Sequence, residues 1–220
     1  MKTNESGRSM IEMLGVLAII GVLSVGGLAG YAKAMSKYRT NKSIEQITQI
    51  VASTRNLFSG HKDYSALGIG NSGSKTCSLE QMNLALISKG HLVPEEMMVK
   101  GKDNNGQEAV TALENPFAGD VIMSCGSKRD EDQKAFTIVF KNVPNEACIE
   151  LATQDWGSGT SAGLVAVCVN GNIANAKIGS NETTECTSSK SMSVLKASAA
   201  CTNRNKQEKA GMNTISWKFF

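Results

Sequence analysis

The sequence predicts an α+β protein: one long N-terminal helix, with a membrane half and an amphipathic half, packed on an antiparallel β-sheet domain with disulfides. Three observations carry this reading. Residues 13–32 contain no formally charged side chain, and twenty residues at a helical rise reach about 30 Å, enough to cross a hydrocarbon core. No proline precedes Pro94, so nothing breaks a helix over the first sixty residues. The six cysteines, at 77, 125, 148, 168, 186 and 201, all follow the apolar run and share the rest of the chain with short β-prone segments.

Past the apolar run, Tyr31, Met35, Tyr38, Ile44, Ile47, Ile50, Val51, Leu57 and Phe58 fall mostly at steps of three and four. That is one apolar stripe on a polar helix, with Ser59-Gly60 as its stop. The helix should run for about fifty residues and roughly 75 Å. Gly15, Gly21, Gly26, Gly27 and Gly30 punctuate its membrane half; small residues let helices approach closely in lipid, and Gly26-Gly27 is where any local unwinding would begin. Residues 60–76, rich in glycine and serine, read as a loop. Ser78 with Gln81 forms a capping box for a short helix through Lys89, ended by Gly90, with Leu79, Met82 and Leu86 inward. Residues 100–115 read as a second loop.

Strands are expected at 121–124, 135–140, 164–169, 173–178 and 214–220. In the second, Phe136, Ile138 and Phe140 alternate with Thr137, Val139 and Lys141, close to the pattern of a half-buried strand. Asn170-Gly171 between apolar flanks is a hairpin signal. Residues 144–154 read as a helix opened by Pro144 in its first turn, with Cys148 and Leu151 or Ala152 inward. Residues 179–213 are polar, with a short helix near 192–200.

At 220 residues the chain has room for one domain of about 150 residues beyond an anchor. A net charge of +3 with 20% charged residues implies no broad nucleic-acid surface, and no nucleic-acid partner is expected. An even number of cysteines confined to one side of the apolar run suggests an oxidising compartment and up to three disulfides. No C-x-x-C pair occurs, so no metal is expected. Lys33, Lys37, Arg39 and Lys42 follow the span while only Lys2, Arg8 and the terminal amine precede it. That count opposes an exported domain, yet long domains translocate largely regardless of nearby charge, and the cysteines decide.

No catalytic set is visible. His61 and His91 each follow a glycine in a loop-like stretch and read as solvated. Gly157-Ser158-Gly159 lacks the context of a nucleophile elbow. Gly68, Gly70 and Gly73 lack the lysine-threonine signature of a phosphate loop. Lys128-Arg129-Asp130-Glu131-Asp132 reads most simply as a solvated turn between two strands, with a subunit contact as the alternative. The chain is not expected to be an enzyme or to hold a cofactor.

The amino terminus carries the sharpest signal. Gly7-Arg8-Ser9-Met10-Ile11-Glu12 sets a carboxylate immediately before the apolar run. A charge at the bilayer centre costs roughly 2.5–3.5 kcal/mol, somewhat less near one end, and a plain anchor has no use for it. An ordinary signal would look similar, and Ala32-Lys33-Ala34 has the small-x-small form of a leader-peptidase site; the acid before the span and the continuing helix argue against that. Short polar leader, glycine, four residues and glutamate together resemble the amino terminus of type IV prepilins and the related pseudopilins. The resemblance implies peptidase cleavage between Gly7 and Arg8, methylation of the new amine, and Glu12 as the fifth residue of the mature chain. The first mature residue would be arginine, where the family usually has an apolar one. The resulting division is a leader at 1–7, a transmembrane and polymerisation helix at 8–34, its amphipathic half at 35–60, and a globular head at 61–220.

Three stretches of the head are similar to the type IVb pilin branch. They are Asn115-Pro116-Phe117-Ala118-Gly119-Asp120-Val121, then Phe136-Thr137-Ile138 with Asn142-Val143-Pro144 and Ala147-Cys148, and last Cys201 with Asn213-Thr214-Ile215-Ser216-Trp217. The resemblance implies a Cys148–Cys201 bridge bounding a region of about 148–201. For the other four cysteines, Cys77–Cys125 and Cys168–Cys186 are the least tangled choice among the fifteen connectivities of six cysteines. It further implies a structural subunit of a type IV pilus-like filament, processed by prepilin peptidase and polymerised through its N-terminal helix. Its partners would be copies of itself, the peptidase, the inner-membrane assembly machinery and, before assembly, membrane lipid. The protein would sit in the inner membrane as a single pass with an extracytoplasmic C-terminal domain, then join a cell-surface filament. There Glu12 would pair with the amine of Arg8 on a neighbouring subunit, or with the Arg8 guanidinium. A minor pilin or type II secretion pseudopilin, and a monomeric membrane-anchored binding domain, are the alternatives.

Overall fold

The computed structural model describes residues 6–68, 77, 82–103, 105–128, 133–157, 163–202 and 211–220, with side chains from Met10 onward. In chain order they form α1 (Ser6–Leu57), α2 (Leu84–Lys89), β1 (Met98–Lys102), β2 (Glu108–Leu113), β3 (Val121–Gly126) and β4 (Ala135–Pro144). Then come α3 (Asn145–Thr153), β5 (Leu164–Val169), β6 (Cys186–Ser188), α4 (Val194–Thr202) and β7 (Met212–Phe219). Residues 1–39 and 40–220 are separate compact units.

Every described residue of the first unit is helical. In the second, the end of α1 buries Thr40, Ser43, Ile47, Ile50 and Thr54, alternating steps of three and four that trace one line along a helix. This corrects the expected apolar stripe: Leu57 is 39% exposed, while three hydroxyl side chains lie on the buried line. Angular position on the helix, more than hydropathy, decides what is covered.

β3, β4, β7, β5 and β6 form, in that order, one five-stranded antiparallel sheet. Phe136, Ile138 and Phe140 of β4, Val167 of β5, and Ile215, Trp217 and Phe219 of β7 share a core cluster with Ile47 and Ile50 of α1. The reverse face is buried too. Ala135, Val165, Ala166 and Cys168 pack there with Ile173 and Ala176, so Thr137 and Val139 are covered and β4 is not half-buried as its alternation suggested.

The cover over that face replaces an expected strand. Residues 173–178 do not pair into the sheet; a 3-10 turn at Ile173–Asn175 leads into a segment against the back of β7. Asn170-Gly171 is accordingly no hairpin. Asn170 adopts φ 54, its side chain accepts from Thr214 N at 2.9 Å, and it donates to Asn213 Oδ1 at 2.8 Å and to Ala200 O at 3.1 Å. β5 pairs with β7 and with β6, a strand the polar 179–213 stretch concealed.

The expected 100–115 loop is instead mostly the β1–β2 hairpin. Asp103 Oδ1 accepts from the backbone N–H of Asn105 at 2.9 Å and of Gln107 at 2.8 Å, and Gly106 takes φ +77. β1 is mostly exposed and β2 only partly covered, so neither shows a clean alternation. α2 starts at Leu84, capped by Asn83, whose side chain accepts from Leu86 N at 3.1 Å. The expected Ser78–Gln81 cap and Leu79 lie outside the described residues. Ile87 is the fully buried side chain of α2, with Leu86 and Met82 half-buried, and Gly90 closes it through its N–H to Leu86 O at 2.8 Å. Pro144 is the N-cap of α3 rather than part of its first turn, and Cys148, Leu151 and Ala152 all face inward.

Candidate functional site

Gly7, Arg8 and Glu12 all lie in α1. Positions 8 and 12 are one turn apart, the spacing that places two residues on one helix face. Glu12 is exposed, as is every residue from Met10 to Ala34. Twelve large apolar side chains between Met10 and Leu28 are exposed, among them Ile11 at 74% and Val22 at 75%. α1 is long and apolar enough to cross a membrane. A Cβ built on Gly15, Gly21, Gly26, Gly27 or Gly30 meets nothing within 4 Å, so these glycines are not explained by packing inside one chain.

The head is joined through its disulfides. Cys148 of α3 is bonded to Cys201 of α4, Cys168 of β5 to its register partner Cys186 of β6, and Cys77 to Cys125 of β3. Around the α3–α4 bridge, Met192 N donates to Ala152 O at 3.0 Å. Asn145 at the start of α3, Asn170 after β5 and Asn213 in β7 form a side-chain chain at 2.8 Å per step. Glu182 clamps the intervening loop to Lys190 at 2.8 Å and to Lys196 of α4 at 3.3 Å. At the end of α1 within the head, Glu96 accepts from Gln46 at 2.9 Å and meets Lys42 at 3.0 Å. Those partners, Gln46 first, hold its carboxyl below the usual range, and Glu96 in turn raises Lys42.

The 115–121 stretch is built as a tight loop. Asn115 Oδ1 accepts from Phe117 N at 2.8 Å, and its Nδ2 donates to Lys141 O at 2.8 Å. Gly119 passes so close to Lys141 that a Cβ would collide with the Lys141 carbonyl. The side chains of that motif therefore tie the entry of β3 to the end of β4.

The family described as PilS N terminal matches residues 37–218. The chain belongs to that family. It is a type IV pilin of the IVb branch. Proteins similar to this pilin include the major structural subunit of bundle-forming pilus from Escherichia coli O127:H6 (strain E2348/69 / EPEC). That protein is 22% identical over 208 residues, covering 94% of this chain and 93% of its own. Toxin coregulated pilin of Vibrio cholerae is 23% identical over 199 residues, covering 90% and 78% respectively. A crystal structure of type IV b pilin from Salmonella typhi is 20% identical with a TM-score of 0.49, covering 80% of this chain and 97% of that one.

Three features of this pilin escape sequence reading. The buried hydroxyl line of Thr40, Ser43 and Thr54 carries no hydropathy signal. The asparagine chain was visible only as a misleading Asn-Gly pair. Lys218, fully buried in β7, stands in a strand pattern as one polar residue among others. Of the remaining readings, His61 and His91 are exposed. Lys128 is half-buried with its ammonium 3.1 Å from the Phe220 ring centroid, not simply solvated; residues 129–132 lie outside the described residues.

Proposed function

We propose that this pilin is the structural subunit of a type IV pilus-like filament, cleaved between Gly7 and Arg8 and polymerised through α1. The observation that carries the reading is the bare apolar half of α1 ahead of a disulfide-joined head. Each large apolar side chain gains roughly 1.5–3 kcal/mol on burial. Twelve of them sum to the order of 20 kcal/mol or more, too much to leave in water. Two environments satisfy such a helix: lipid before assembly, and other copies of itself afterwards. The protein accordingly waits in the inner membrane with its head outside, where disulfides form, and then joins a surface filament. Glu12 supplies register, because a carboxylate among apolar helices is costly unless it meets the amine or guanidinium of Arg8 on the next subunit. Prepilin peptidase and the inner-membrane assembly machinery are its partners before that step.

Intact mass measurement of membrane-extracted protein tests the processing. The expected chain begins at Arg8. A start at Met35, or an uncleaved Met1 start in cells that contain the peptidase, refutes it.

A further inference from the structure

We propose that Asn105-Gly106, at the tip of the β1–β2 hairpin, is a site of spontaneous deamidation that converts Asn105 to aspartate and isoaspartate in the folded pilin.

The chain contains two Asn-Gly pairs, Asn105-Gly106 and Asn170-Gly171, and the chemistry open to both is the same. The main-chain nitrogen of the glycine gives up its proton to base and attacks Cγ of the asparagine. A bond forms between that nitrogen and Cγ, the bond from Cγ to the side-chain nitrogen breaks, and ammonia leaves. The product is a cyclic imide, a succinimide. Water then splits one of the two bonds from the imide nitrogen to carbon. Splitting at Cγ leaves aspartate. Splitting at the main-chain carbonyl leaves isoaspartate, with the chain routed through Cγ. The reaction needs an asparagine amide free to rotate and a following nitrogen that no Cβ crowds, which is what glycine provides.

The fold treats the two pairs differently. Asn105 and Gly106 are both exposed, and the Asn105 side chain makes no hydrogen bond among the described residues. A Cβ on Gly106 would meet nothing within 4 Å, and its N–H donates to Asp103 O at 2.9 Å, at the open end of the hairpin. Asn170 is locked instead. Its Oδ1 accepts from Thr214 N at 2.9 Å, while its Nδ2 donates to Asn213 Oδ1 at 2.8 Å and to Ala200 O at 3.1 Å. Gly171 is crowded as well: a Cβ there would stand 2.8 Å from Glu185 Cβ and 3.1 Å from Cys186 Sγ.

Conversion would alter the hairpin. Asp103 Oδ1 spans the pair by accepting from Asn105 N at 2.9 Å and Gln107 N at 2.8 Å. Isoaspartate inserts one more main-chain carbon between those two donors, so the carboxylate cannot hold both in this geometry. Either product also places a new negative charge two residues from Asp103. The tip thereby records the age of the molecule as charge.

The test incubates full-length pilin in detergent at mildly alkaline pH, beside a sample reduced and unfolded in urea, until the unfolded chain has converted. Peptide mapping with electron-transfer fragmentation then reads, residue by residue, the mass gain of deamidation and the division between aspartate and isoaspartate. Each hydrogen bond that must open slows the attack about five-fold, so three slow Asn170 about a hundred-fold and one slows Asn105 about five-fold. Asn105 should therefore convert about twenty-fold faster than Asn170 in the folded protein, and at about the same rate in the unfolded one. Asn105→Gln, whose longer side chain must close a larger and slower-forming ring, should show no conversion at the tip. Asn105 intact in the folded protein while it converts in the unfolded chain overturns the proposal, as does Asn170 keeping pace with it in the folded protein. Conversion at the tip that persists in Asn105→Gln belongs to Asn104 and overturns it equally.

Discussion

Lys218 projects its amine to the back of the sheet, where Nζ donates to Ala174 O at 3.2 Å and Ala176 O at 2.7 Å. It thereby pins a segment that has no ladder bonds of its own to the sheet. Burial, with Lys177 nearby as the smaller cause, pushes its pKa down to about 8 from 10.5. Between those two values the unfolded chain holds the proton and the folded chain does not, so stability rises with pH across that window. About a pH unit below 8 the deficit is fully present. The whole effect is on the order of 3 kcal/mol at 1.36 kcal/mol per pH unit. Denaturant unfolding at pH 7.5 and pH 10 should show wild type gaining on Lys218→Met by about 2 kcal/mol, most of the whole effect. Parallel pH profiles for the two proteins would mean that the amine titrates alike folded and unfolded. At low pH, Met could match or exceed Lys, because replacing a buried charge with an apolar side chain removes the desolvation cost, while the two carbonyls lose a donor.

At the scale of elements, legibility followed how each element is stabilised. α1, β3, β4, β5, β7 and α3 are each rich in apolar residues, as a stripe or as an unbroken run, and all were readable within a few residues of their ends. β1 and β2 are held by backbone pairing and the Asp103 turn, and β6 by its disulfide and three register pairs; none of these devices leaves a hydropathy pattern. The expected 173–178 strand failed for the opposite reason. Its apolar residues are buried, but against the back of the sheet rather than within it. The cysteines were legible as spaced residue types, and the structure joins them in three disulfides. Disulfide energetics also belong to this scale. The Cys148–Cys201 bridge spans 53 residues and Cys168–Cys186 spans 18. Loop closure assigns them about 4 and about 3 kcal/mol in the chain-entropy model. Paired Cys→Ser variants of the isolated bridges should therefore lose stability in that order on denaturant unfolding. A larger loss from the shorter bridge would place the stabilisation in folded-state contacts of β6 instead of chain entropy.

For the whole molecule, the decisive question is whether Glu12 serves the membrane or the filament. Replacing Glu12 by Val removes a charge from the apolar end of α1, so insertion should be unchanged or improved. If Glu12 registers one subunit on the next, each interface in the variant keeps a buried ammonium without its counter-charge. Breaking a buried pair costs roughly 3–5 kcal/mol, over a hundredfold per contact, and a filament repeats that contact at every subunit. Processed monomer should then accumulate in the membrane while sheared filament yield collapses, both read on one immunoblot of cell and shear fractions. Snorkelling of the Arg8 guanidinium toward water would soften the loss, and Glu12→Asp, which keeps the charge but shortens the reach, should fall between wild type and Val. Normal filament amounts from Glu12→Val as the sole major subunit would refute the registration role. Impaired insertion would refute it equally, because a carboxylate needed to enter the bilayer has been assigned to the wrong step.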